Sequence, residues 1–444
     1  MIKFFAMKFK ILIILLLQLS INAWADPKPV KKVYLPDRIS TVPKNNDFSD
    51  NNSEYSDKRS AESANFKVYW SKEYGDNPLI NEVQNKRFDI NNAIKELERY
   101  YNYYVDELKL VKKGSSVSDK YKVLVFITGG KTSTAYGGGE EKKVGILWCP
   151  AVRLNPQPYG VLAHELGHVF QFLARCDNEQ VTYDGPINEM GAQYVLWQVY
   201  PEWLTFENFH LKAFLNNTYH AFLHPENAYH SPFVLEYWAE KHGKDFYGKL
   251  LRNVQKGEDP VETYKRINRI DQGEFNEEIF QASGKFITWD MKRVRQIAAK
   301  YANQHHSKVV AEEEGWMSID QAEIPEDYGY NAIKLNVPKM KDVVSLEFEG
   351  LPDSNNKNNS DASRAGWRYG FIAYKKNKKR VYGNINSDPK GKISFNVPKD
   401  SEYLWLLVTG APNSHTSIKR KQTQFDRYPY HFKLIGTEVY KESK

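Results

Sequence analysis

His164, Glu165 and His168 stand in "GVLAHELGHVFQF" (160–172), an otherwise apolar run. Residues i and i+4 of a helix share a face, so both imidazoles point at a common spot, as two ligands of one metal must. Glu165 is rotated away from them, yet its carboxylate reaches a water held at that spot. This is the mechanical logic of H-E-x-x-H in zinc hydrolases. A catalytic zinc needs a third protein ligand and an open position. The extended form H-E-x-x-H-x-x-G-x-x-H is excluded, because the chain continues "VFQFLA". Glu189, in "GPINEMGAQY", lies 21 residues after His168, near the start of the next expected helix. Two antiparallel helices joined by a short loop bring that turn opposite the histidines. A carboxylate in a first turn is favourable on any helix, but with the histidine spacing it completes a triad: His164, His168 and Glu189.

These residues need elements to hold them. The helix from about Tyr159 to Ala174 is preceded by "NFKVYW", a long helical pattern ending at Leu110, and two buried strands, "KYKVLVFITG" and "VGILWCP". The "GGG" at Gly137–Gly139 reads as a flexible turn or as a place where substrate approaches the backbone. Val144–Cys149 reads as the sheet edge that pairs with an extended substrate. Beyond the second site helix come "EWLTFENFHLKAFL", "SPFVLEYWAEKHGKDFYGKLLRNV", "PVETYKRINR", "FNEEIFQASGKF" and "WDMKRVRQIAAKYA", each expected to be helical. From Asn331 onward short alternating runs such as "VVSLEFEGLP", "WRYGFIAY" and "YLWLLVTGAP" are separated by turn clusters, the pattern of a β-sandwich or jelly roll. "PDSNNKNNSDASRAG" reads as a flexible hairpin connection, and "KKNKKR" (375–380) as a solvated basic turn. The expected architecture is therefore an α+β domain followed by an all-β domain.

Composition sets the surroundings. The N-terminus carries lysines, then the apolar run Ile11–Leu17 and a small-x-small site at Ala23–Ala25, a secretory signal peptide. No later segment is long enough to span a bilayer, so the mature chain is expected to be soluble and secreted or periplasmic. The formal charge of +7 is spread among acidic residues, which excludes a nucleic-acid reading. Residues 26–64 are rich in Asn, Asp and Ser without apolar periodicity, and read as a flexible leader or pro-segment. Cys149 and Cys176 are the two cysteines, either paired across the site helix or left as inert thiols. The expected division is signal peptide 1–25, leader 26–64, catalytic domain 65–308 and β domain 309–444.

"HELGH" followed by "GPINEMGAQ" resembles the gluzincin metallopeptidases, including thermolysin-like enzymes, over about residues 160–200. The glycine in "HELGHVFQ" and Gln171 resemble those of enhancin-like, mucin-cleaving peptidases. From "ESANFKVYWSKEYGDNP" to "RYPYHFKLIGT" the pattern is similar to a family of exported bacterial proteins that pair a gluzincin-like domain with a β domain. The resemblance implies a zincin-like fold and Zn²⁺ held by His164, His168 and Glu189, with Glu165 as general base in amide hydrolysis. It also implies a Tyr or His beyond the third ligand as oxyanion donor; Tyr229, His230 and Tyr237 are available, His230 and Tyr237 being the plausible ones. One position departs: thermolysin-like enzymes place an aspartate four residues after the glutamate ligand, and here that residue is Gln193. Asp184 or a backbone carbonyl are substitutes for its ligand-orienting role.

The expected partner is a protein or glycoprotein substrate, with glycan contact through the β domain. The competing expectation is a non-catalytic glycan- or protein-binding surface protein whose zincin domain is degenerate or structural. An intact Glu165 weighs against that, because a structural zinc site has no use for a base.

Overall fold

The computed structural model describes residues 30–154, 157–339, 343–352, 362–418, 422 and 424–441. The signal-peptide segment lies outside them, as does most of the loop 352–366. Among the described residues no helix is long and apolar enough to cross a membrane.

The chain is α+β. Its first sheet holds β1 (Ser60–Glu62), β2 (Phe66–Trp70), β3 (Val123–Thr128), β4 (Tyr136–Glu140) and β5 (Val144–Pro150), in the order β1-β2-β3-β5-β4. The three inner strands are parallel, and β1 and β4 close the two edges antiparallel. Alternation along β3 sends Val123, Val125 and Ile127 to one face and Leu124 and Phe126 to the other. The first face packs on α1 (Ile90–Asn102) and α2 (Gly160–Asp177), the site helix.

The second face is covered by residues 30–59, which corrects the expectation of a flexible leader. Ile39 and Tyr55 are buried with Tyr69, Phe126, Ile146 and Trp148, and the Trp148 indole donates to Ser40 O at 2.8 Å. The composition misleads because Asp47 and Asp50 accept from backbone N–H groups two residues on. Those Asx turns order a polar stretch that has no periodicity to read. We refer to this segment as the strap.

After α2 come α3 (Ile187–Val199), α4 (Trp203–Phe206), α5 (Asn208–Asn216), α6 (Phe233–His242), α7 (Phe246–Asn253), α8 (Pro260–Asn268) and α9 (Gln272–Ile287). The run expected as one helix over 231–254 is two, broken at Gly243 with φ +104°. "WDMKRVRQIAAKYA" is not a regular helix either. Met291, Val294 and Ala298 are buried at helical spacing, but the backbone runs through irregular turns that begin at Trp289 with φ +49°.

Two antiparallel sheets complete the molecule. One joins β8 (Tyr330–Leu335), β10 (Trp367–Lys375), β11 (Arg380–Tyr382) and β13 (Ser401–Gly410). The other joins β6 (Val309–Ala311), β7 (Met317–Ile319), β9 (Val343–Gly350), β12 (Lys390–Asn396) and β14 (Tyr430–Ile435). Ile333, Trp367, Phe371 and Leu406 meet Leu346, Phe348 and Phe432 between them. The outer side of the four-stranded sheet is not solvated. Ile372, Trp405 and Leu407 join the helical core, and Ile372 packs on Gly284 of α9.

Candidate metal centre

Helix α2 buries Leu162, Ala163, Leu166, Val169, Phe170 and Leu173, which fixes its rotation and leaves His164, Glu165 and His168 facing a cleft. Helix α3 crosses it closely: a Cβ on Gly167 would sit 2.7 Å from Val195 Cγ2 and 3.2 Å from Ala192 Cα. That approach brings Glu189 to the histidines. Its Oε2 lies 3.2 Å from His164 Nε2 and 3.3 Å from His168 Nε2, and one ligand atom from each residue lies within 4.8 Å of the others. The rings of His164 and His168 stand nearly perpendicular, with centroids 4.9 Å apart.

The tautomers follow from the hydrogen bonds. The Gln171 amide nitrogen donates to Asn188 O at 2.7 Å, so its oxygen must accept, and it accepts from His168 Nδ1 at 2.9 Å. Gln193 Oε1 lies 3.1 Å from His164 Nδ1 and accepts in the same way. Both imidazoles thus carry the proton on Nδ1 and keep the Nε2 lone pair for the cleft, which is what a divalent ion with N and O ligands requires. The donor set suits Zn²⁺. Gln193 occupies the orienting position itself; Asp184 lines the cleft, with its carboxylate accepting from Gly185 N–H.

The electrostatics are those of two bases sharing one carboxylate. Burial opposes ionisation of Glu189, but the His164 and His168 imidazoles set against it hold its carboxyl well below the usual range. Burial would depress His168, yet Glu189 and Gln171 raise it overall. Glu165 is different: burial pushes it up, against the two imidazoles and a bond from the Gly137 N–H.

That bond comes from β4, and here two expectations are corrected. Gly137–Gly139 is not a turn but part of an edge strand, and Val144–Cys149 is not the edge, because β4 covers it. A Cβ on Gly137 would fall 1.9 Å from Glu165 O, so only glycine lets the strand lie this close to α2. Strand and helices enclose a cleft of about 840 Å³ lined by His164, Glu165, His168, Glu189 and Tyr229.

Tyr229, rather than His230 or Tyr237, lies at the candidate ligands. Its ring lies parallel to His164 with centroids 6.2 Å apart, and burial and the nearby Glu189 carboxylate push its phenol up. His230 Nδ1 pairs with His210 Nδ1 at 2.9 Å, and the buried Tyr237 hydroxyl donates to Gln281 Oε1 at 3.2 Å. Both cysteines are free thiols. Cys149 is wholly buried in β5, which pushes its thiol up.

A second group, His220, His224 and Glu226, also lies within 4.8 Å. Its imidazoles stack at 4.0 Å and 16°, so their in-plane lone pairs run side by side instead of converging. His224 Nδ1 is also taken by the Glu226 N–H at 3.1 Å.

The profile of a family of unknown function (DUF6055) matches residues 25–441. No curated protein matches the sequence. Solved structures with partial likeness include accessory secretory protein 1,2 and 3 of Streptococcus pneumoniae, at 12% identity over 29% of this chain and 83% of that one, TM-score 0.17. Another is the C-terminal family 22 carbohydrate binding module of Clostridium thermocellum Xyn10B, at 10% identity over 31% and 85%, TM-score 0.19. A third is the Glycosylation Associate Protein (Gap123) complex from Streptococcus agalactiae, at 14% identity over 29% and 38%, TM-score 0.15. Likenesses this slight establish neither fold nor function.

Proposed function

The chain belongs to DUF6055, a family of unknown function, and from that premise we propose, on the strength of its own site, that it is an exported zinc endopeptidase acting on a protein or glycoprotein. The observation that carries this reading is the convergence of two Nε2 atoms and one carboxylate at the cleft, with Glu165 beside them.

His164, His168 and Glu189 would hold the Zn²⁺, which supplies a Lewis acid and a water of lowered pKa. Glu165 does the proton work: its carboxylate takes a proton from the attacking water and delivers it to the leaving amine. Burial favours that proton uptake. Tyr229, which lines the cleft stacked on His164, is the donor for the oxyanion. The free edge of β4 offers backbone groups to an extended substrate. The sandwich would present glycan. A cavity of about 220 Å³ there is lined by Asn384, Asn386 and Ser394 with Phe371 and Phe395, groups suited to a polar ring. That cavity is also what favours the second reading, a glycan-binding protein without catalysis.

The deciding comparison is wild type against Glu165→Gln. Both should carry about one zinc per chain by elemental analysis. Cleavage of a protein substrate should fall by about 10²–10⁴ in the variant, and chelation should abolish it in wild type. Protein that carries no zinc and unfolds identically with and without chelator would overturn the proposal.

A further inference from the structure

A cavity of about 290 Å³ opens on the strap side of the first sheet, beside the metal cleft but distinct from it. Thr41, Glu54 and Tyr55 of the strap form one wall, and Thr128, Tyr136 and Trp148 of the sheet form the other. Tyr136 lines both spaces, as does Thr134, so the two adjoin. The geometry of β4 explains this. Gly137 faces α2, so its neighbour Tyr136 faces the strap, alongside Trp148, its partner across the β4–β5 ladder.

The chemistry of the lining is one-sided. Thr128 lies on the strap face by alternation with Leu124 and Phe126; it is 7% exposed, and its hydroxyl is buried with no hydrogen-bond partner. That oxygen is closed off from the cavity, so the polar groups a ligand can reach are those of the strap wall. The Glu54 carboxylate makes no hydrogen bond or ion pair among the described residues, while its backbone is pinned by Lys72 N–H at 2.9 Å. Tyr136 presents an exposed ring, and the indole N–H of Trp148 is already committed to Ser40 O. None of the side chains lining the cavity is cationic. Hydroxyls, one unpaired carboxylate and aromatic rings together select a donor-rich cation.

We propose that this cavity is a specificity subsite for a lysine or arginine side chain of the substrate, close to the scissile bond. The inference rests on the peptidase reading. An extended peptide paired along β4 alternates its side chains, so a residue adjacent to one facing the metal ligands faces the strap. The subsite therefore reads a basic residue while the cleft holds the peptide bond.

Cleavage-site profiling of a synthetic peptide library with the purified full chain tests it. The expected result is enrichment of Lys and Arg at one fixed position. Glu54→Gln should lower kcat/KM for those peptides roughly tenfold and leave peptides neutral at that position unchanged. No basic enrichment, enrichment untouched by Glu54→Gln, or a preference for glycosylated over basic peptides would each overturn the proposal. If wild type cleaves no more than Glu165→Gln, the peptidase reading has failed. The cavity is then tested alone by fluorescence anisotropy with a labelled tetralysine: binding weakened by Glu54→Gln upholds it, and absence of binding overturns it.

Discussion

The residues behind the ligands decide how well a metal is held. Each imidazole is oriented by a buried glutamine amide, where a carboxylate would add negative charge and raise ligand basicity. Gln193→Leu should weaken zinc about 10- to 100-fold, whereas Gln193→Glu, isosteric and able to accept from His164 Nδ1, should bind it more tightly than Gln193→Leu. Competition with a chromogenic chelator measures both. At this scale the sequence is informative only over short spans. His164, Glu165 and His168 are legible because a helix converts spacing into a shared face. Gln171 entered the sequence reading only through a resemblance, although its bond to His168 three residues back rests on the same helix geometry. Tyr229 was not, because it lies between helices, where spacing carries no angular meaning, and His230 and Tyr237 looked equally good.

The elements that frame the cleft were read unevenly, and for physical reasons. Inner strands β3 and β5 announce themselves as apolar runs, since both faces are buried. Edge strand β4, "YGGGE", has Tyr136 alone among the residue types that favour strands, and its glycines are there for the close approach to α2. The strap was missed because its order comes from isolated anchors and Asx turns. No strap residue lines the metal cleft, so the strap does not block it. Tyr55→Ala should therefore destabilise the chain by about 3–5 kcal/mol, the range for a buried aromatic, and should not activate it. Thermal unfolding beside a cleavage assay checks this, and a rise in activity would restore the pro-segment reading.

In the whole molecule the sandwich is no appendage. One continuous core runs from Phe66 on the first sheet to Trp405 and Leu407 on the sandwich. A buried pair, His415 Nε2 to Asp259 Oδ2 at 2.7 Å, ties the segment after β13 to the start of α8. His305 lies in the same core, near Phe214, Trp289 and Tyr330. Burial pushes its imidazole down to about 3. The unfolded chain takes up that proton near pH 6.5 and the folded one does not. This contribution is thus full above about pH 6.5 and is lost as pH falls toward 3. Melting temperature should drop with acidification across that window, and His305→Gln should flatten the slope; equal slopes would refute the assignment.

What the sequence by itself determined is local and periodic: a helix that aims two imidazoles and a carboxylate, inner strands, and an alternating C-terminal half. Those follow from backbone geometry acting over a few residues. Only the tertiary structure decided that Glu189 and Gln193 meet the histidines, that β4 is the open edge, that the strap is built in, and that α9 joins the two halves. Each of these depends on contacts between residues distant in the chain, and no spacing within a single element encodes them.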